Sequence, residues 1–156
     1  MDRNSLTAAM KTSIFNVLEK MFFLPLELNE SRTSNYLAEI NKVLCGKLMF
    51  KGCFSGQFLF YISECLANTI TADFMGMDKK DISTSNVIET LKEIINMIAG
   101  NTFALYDDKA VFNLGIPAIF FRDSPSTDNP ENVISLKIDT PDDQMILKMA
   151  LNQRQN

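Results

Sequence analysis

Glu93 and Asn96 carry the sharpest chemistry in this sequence, a carboxylate and a carboxamide three residues apart in Glu93-Ile-Ile-Asn96-Met-Ile-Ala-Gly100-Asn101. A carboxylate accepts hydrogen bonds and pairs with cations, whereas an amide accepts through its oxygen and donates through its NH₂. The chain contains no histidine, which excludes histidine triads, histidine metal sites and histidine general bases. Neither a glycine-rich phosphate loop nor a dinucleotide fingerprint is present. The three cysteines, Cys45, Cys53 and Cys65, lack zinc-site spacing and read as buried free thiols. An enzyme built on this chain would work with carboxylates, amides or hydroxyls.

A helix must position the pair. At about 100° per residue, Val87, Ile88, Leu91, Ile94, Ile95 and Ile98 fall within one apolar arc. Glu89, Glu93, Asn96 and Gly100 stack on the opposite side at spacings of four, three and four. Ser85 or Asn86 is expected to cap the start of this helix, and Gly100–Asn101 to end it near Ala99. Such a stripe is most simply a solvated face. Asn is a poor helix-interior residue because its side chain competes for backbone hydrogen bonds, so Asn96 carries a small propensity cost, and Gly100 leaves the surface open beyond it.

Around that helix the chain reads as alternating helices and hairpins. A first helix is expected over 8–23, with Phe15, Leu18 and Phe22 at helical spacing and Leu24–Pro25 as the stop. A short extended piece near 26–28 and a polar loop over 29–34 follow, and 37–44 suits either a strand or a helix. Strands are expected over 47–54 and 57–62, turning between Gly52 and Gly56. Ser63 would cap a helix running to Met75 and stopped by Gly76. A polar connection covers 78–86. Segments 110–114 and 118–121 look extended, and 122–132 is a loop. Segments 133–138 and 145–151 form a last hairpin across Thr140–Asp143. The final segment could instead be a helix, but a weak repeat favours a strand.

That repeat lays Val17–Phe22 over Glu93–Ile98, each helix being followed by a strand–turn–strand unit. The expected fold is therefore α+β: two helix-plus-hairpin pseudo-repeats sharing one mostly antiparallel sheet, with the long helices on one face. At 156 residues, the chain suits a single domain over 1–156. Its 46% apolar content can fill a core, and a net charge of −4 without a basic cluster argues against nucleic acid or an anionic membrane as partner. No apolar run spans a bilayer, and the first residues do not resemble a secretory signal, so a cytoplasmic location is expected.

The segment from Glu93 to Asn101 resembles the signature helix of the CheC/CheX/FliY phosphatases of bacterial chemotaxis, in which a Glu and an Asn are separated by two residues and a proline lies downstream, matched here by Pro117. The strand–hairpin–helix over 46–76 is also similar to that of CheX-like proteins, and the resemblance runs from about Ile14 to Leu151. Two-site members carry the Glu/Asn pair on both repeated helices. Val17 and Lys20 stand at the equivalent positions of the first helix here, so the single-site CheX-like branch fits. Glu89 departs from the family's Asp or Ser, and the gap from Asn96 to Pro117 is slightly short.

The resemblance implies hydrolysis of the aspartyl phosphate of a CheY-like response regulator, with Asn96 positioning the attacking water and Glu93 pairing with the regulator's active-site lysine. Glu89, Gly100 and Asn101 would border the docking surface. The regulator would supply Mg²⁺, so the chain needs no cofactor of its own, and a homodimer is expected. Two other classes stay open: a non-catalytic module that binds a response regulator or a flagellar switch component, and an assembly protein that uses exposed Phe and Met residues.

Overall fold

The computed structural model describes residues 1–29, 42–122, 132–141 and 143–152. In chain order these form α1 (Arg3–Ile14), β1 (Glu27–Asn29), β2 (Val43–Lys51), β3 (Ser55–Ser63), α2 (Glu64–Met75), α3 (Thr84–Tyr106), β4 (Asn113–Leu114), β5 (Ala118–Arg122), β6 (Val133–Asp139) and β7 (Gln144–Leu151). Of the expected loop at 29–34 only Asn29 is described, and it is the last residue of β1 rather than loop because it pairs with Lys137 of β6. The rest of that loop, most of the ambiguous segment 37–44 and most of the expected loop at 122–132 lie outside the described residues.

The α+β architecture is as expected. Seven strands form one sheet in the order β1-β6-β7-β3-β2-β4, with β5 also on β2, and every pairing is antiparallel. The hairpins β2–β3 and β6–β7 meet at the centre through β3 and β7, where Phe60 faces Leu147. The short strand after each long helix crosses to the other half: β1 pairs with β6, and β5 pairs with β2. The final segment is a strand. Its partners on both sides fix the register, and Thr140 closes the preceding turn by donating from N and Oγ1 to the Asp143 carbonyl, at 2.9 and 2.7 Å.

Period-2 alternation sends Leu44, Leu48, Phe58, Phe60, Ile62, Leu136, Leu147 and Met149 to the helix-covered face, where all are buried. Leu6, Met10 and Ile14 of α1 and Leu91, Ile94, Ile95 and Ile98 of α3 close over them. Each such aliphatic side chain contributes about 1.5–3 kcal/mol on full burial. A Cβ at Gly46 would lie 3.3 Å from Ile119 Cδ1 and 3.5 Å from Ile95 Cδ1, so its absence lets α3 settle onto β2. The other sheet face carries a smaller buried cluster of Val43, Cys45, Leu59, Tyr61 and Ile146.

Several boundaries differ from expectation. α1 starts at Arg3 rather than near Ala8, because Asp2 caps it by accepting from Asn4 N at 3.0 Å and Leu6 and Met10 extend the apolar stripe. It ends in a π-helical turn, Phe15–Glu19, rather than as a regular helix to Phe23. Leu24 N donates to Leu18 O at 3.0 Å, and Phe23 takes a left-handed φ of 54°. β2 begins before Lys47 and ends at Lys51, since Gly52 N donates to Phe54 O at 2.9 Å and turns the chain there. Within 110–114 only Asn113–Leu114 is strand. Cys45 is buried, but Cys53 in the hairpin turn and Cys65 in the first turn of α2 are exposed, against the expectation of three buried thiols.

Candidate functional site

The rod that carries the candidate residues is held at both ends. At its start, Ser83 Oγ accepts from Asn86 N at 3.1 Å and Asn86 Oδ1 accepts from Ser83 N at 3.0 Å. This capping box starts α3 slightly earlier than Ser85 or Asn86 as caps would. At its middle, the Ile98 carbonyl accepts from Ser13 Oγ of α1 and from Thr102 Oγ1, each at 2.7 Å. At its far end, Phe103 stacks on Phe112 with centroids 4.0 Å apart, and Tyr106 Oη accepts from Asp2 N at 3.1 Å. The two α1 contacts run in opposite senses along the two helices, so α1 and α3 are antiparallel neighbours.

The helix does not end at Gly100–Asn101. It continues to Tyr106, because Thr102 and Phe103 prolong the buried face set by Val87, Leu91, Ile94, Ile95 and Ile98. Gly100 and Asn101 therefore sit inside a helix and not at its stop. The outer stripe is where the wheel places it: Glu89, Glu93 and Gly100 are exposed and Asn96 is half-buried, whereas Asn101, also half-buried, lies about 100° round the helix from Gly100. With a rise of 1.5 Å per residue, Glu93 and Asn96 stand about 4.5 Å apart along the axis. Among the described residues neither has a hydrogen-bond or ion-pair partner. Their polar atoms are thus open to a second body, while the rod beneath them is packed.

Glu89 differs from Glu93. It forms an ion pair with Lys92, 3.5 Å from Oε1 to Nζ, that the sequence reading missed although the two residues lie at a pairing distance of three. The pair is largely solvated and contributes at most about 0.5 kcal/mol. Pro117 is half-buried and lies directly before β5, away from the helical stripe in sequence but in the segment that returns from α3 to the sheet.

The repeat holds at the level of elements, but burial shifts its register by one residue. Ile14, Val17 and Leu18 are buried, as are Leu91, Ile94 and Ile95. Val17 therefore matches Ile94 rather than Glu93, and the outward positions equivalent to Glu93 and Asn96 are Asn16 and Glu19. The first helix still lacks a Glu followed by an Asn, and its outward residues lie in the π-helical turn.

No group of three or more His, Cys, Asp or Glu among the described residues could hold a metal ion, and no described helix is long and apolar enough to cross a membrane.

A family model described as chemotaxis phosphatase CheX matches residues 44–140. Among curated proteins, none matches by sequence. Solved structures do match by fold. The chemotaxis protein CheX of Desulfovibrio desulfuricans aligns with a TM-score of 0.72 at 18% identity, covering 94% of this chain and 99% of that one. A CheC-like superfamily protein of a Shewanella species aligns with a TM-score of 0.76 at 16% identity, covering 98% and 100%. The complex of CheX with CheY, BeF₃ and Mg²⁺ from Borrelia burgdorferi aligns with a TM-score of 0.71 at 16% identity, covering 94% of this chain and 97% of the matched one. Identities this low carry the fold and leave the residue roles to the geometry of this chain.

Proposed function

This chain belongs to the chemotaxis phosphatase CheX family, and on that footing we propose that it hydrolyses the aspartyl phosphate of a CheY-like response regulator with Glu93 and Asn96. The observation that carries this reading is the pair itself, outward-facing and without partners among the described residues, on a helix latched at its start, middle and end.

Water must attack phosphorus in line with the departing carboxylate. The transition state is loose, so positioning and charge stabilisation provide most of the catalysis. Asn96 Oδ1 accepts from the water and its NH₂ donates to a neighbouring acceptor, which fixes the attack direction. Orientation of this kind lowers a barrier by several kcal/mol, up to about 7–11 in the best intramolecular cases. Glu93 pairs with a regulator lysine and sets the register, so that docking one side chain aims the other. Glu89, already shared with Lys92, Gly100 and Asn101 border the contact. Mg²⁺ belongs to the regulator's phosphorylation site, and this chain contributes no ligand to it.

A homodimer is part of the same reading. The outer edge of β5 has no partner strand among the described residues; Phe120 and Phe121 are exposed on it, and Ile116 is exposed just before it. An open apolar edge of this kind is a template for pairing with another sheet.

The test is phosphate release from a receiver domain charged with a small phosphodonor and Mg²⁺, with and without this chain. Acceleration at substoichiometric amounts is expected. Binding of the charged receiver without faster phosphate loss would favour the non-catalytic module instead.

A further inference from the structure

The geometry points to Gly100 as a clearance notch: its missing side chain lets the partner's surface close down beside Asn96, and it therefore limits which partners can reach the amide. This rests on the phosphatase reading and adds a specificity-determining position to it.

Six glycines occur in the chain, and five have a reason inside it. A Cβ would meet other atoms at 3.3 Å at Gly46, 2.5 Å at Gly52, 2.2 Å at Gly56 and 3.2 Å at Gly115. Gly76 has a left-handed φ of 65° at the end of α2. Gly100 has neither. Its φ is not positive, nothing among the described residues lies within 4 Å of where its Cβ would be, and the helix continues for more than a turn beyond it.

Glycine inside a helix is disfavoured relative to alanine because the unfolded chain loses more freedom in ordering it. No cap, left-handed turn or close packing in this chain offsets that loss at Gly100. The residue also lies one turn beyond Asn96 on the same stripe, about 6 Å along the axis. A body that approaches Asn96 closely enough to place its phosphoryl group must pass over this position. The bare backbone is thus explained by what comes from outside.

The test compares wild type, Gly100→Ala, Gly100→Gln and Asn96→Ala in phosphate release from a receiver domain charged with acetyl phosphate and Mg²⁺, with thermal unfolding of each protein. Gly100→Ala should raise the melting midpoint by roughly 2–4 °C, as expected for a better helix former in a protein of this size. It should also raise the KM for the charged receiver about tenfold, and Gly100→Gln about a hundredfold, the scale of a misplacement near 1 Å. Stability would then rise while capture of the charged receiver weakens and kcat stays unchanged, the signature of a clash at the contact and not of a packing role inside the chain. Unchanged kinetics in both Gly100 variants, with Asn96→Ala inactive, would overturn the notch and leave the phosphatase reading standing. A lowered melting midpoint for Gly100→Ala would overturn it too, by revealing a role within the fold. Altered association by light scattering with unchanged kinetics would assign the notch to a second copy of this chain. A wild-type chain that releases no phosphate would remove both readings together.

Discussion

At the scale of single residues, the proposed site would separate chemistry from folding. Asn96 supports no described hydrogen bond and is a poor helix former, so Asn96→Ala should not lower the thermal stability and should raise it by up to about 0.7 kcal/mol. Its loss should lower phosphate release by about a hundredfold or more, the scale seen when one positioned catalytic hydrogen-bonding group is removed. Wild-type rates in that variant would end its catalytic role. Glu93→Ala should instead weaken capture of the charged receiver and slow release together, and titration of the receiver onto an immobilised variant would measure this. Unchanged affinity would remove the anchoring role. Lys92 gives a useful contrast: Lys92→Ala frees Glu89 from its 3.5 Å ion pair and should change stability little, because a solvated pair of this kind is weak.

At the scale of elements, the caps and ends decide how firmly the stripe is held. Ser83→Ala removes half of the capping box on α3 and should cost about 1 kcal/mol in chemical denaturation. Phe23 is the reverse case. It is 85% exposed, with a left-handed φ of 54° where the π-helical turn releases the chain. Bulky residues pay for that conformation and glycine does not, so Phe23→Gly should stabilise the protein by about 1 kcal/mol. A lower melting midpoint would show that its ring has packing worth more than the strain.

The same elements explain what the residue pattern made legible. The face of α3 could be read because Val87, Leu91, Ile94, Ile95 and Ile98 keep a 3.6-residue period without interruption. Its end could not, because Gly100–Asn101 imitates a C-terminal stop. The contrary signal was Thr102 and Phe103, which continue the period. For α1 the overlooked signal was Asp2, a good cap ahead of Leu6 and Met10. The π-helical turn has no local signature here. It inserts an offset that only burial reveals, which is why a repeat aligned on Phe15, Leu18 and Phe22 was one residue out. The final strand was ambiguous on its own period and was settled by pairing on both sides, information that lies far away in the chain.

At the scale of the whole molecule, one sheet joins the two repeats, and its centre should dominate stability. Leu147 is fully buried opposite Phe60 and Leu136, so Leu147→Ala should cost about 2–5 kcal/mol by loss of transfer energy and creation of a cavity. The activity of whatever fraction remains folded should not change, since α3 keeps its caps and its latch to α1.

Each half lends a strand to its counterpart: β1 leaves the first half to lie on β6, and β5 leaves the second to lie on β2. The polypeptide is therefore clasped across its own middle, and neither portion owns a finished edge. A nick in the exposed connection between α2 and α3 would sever the covalent tie and leave the clasp. Two separately made fragments, one ending and the other beginning there, should stay unfolded alone yet reconstitute the native sheet when mixed.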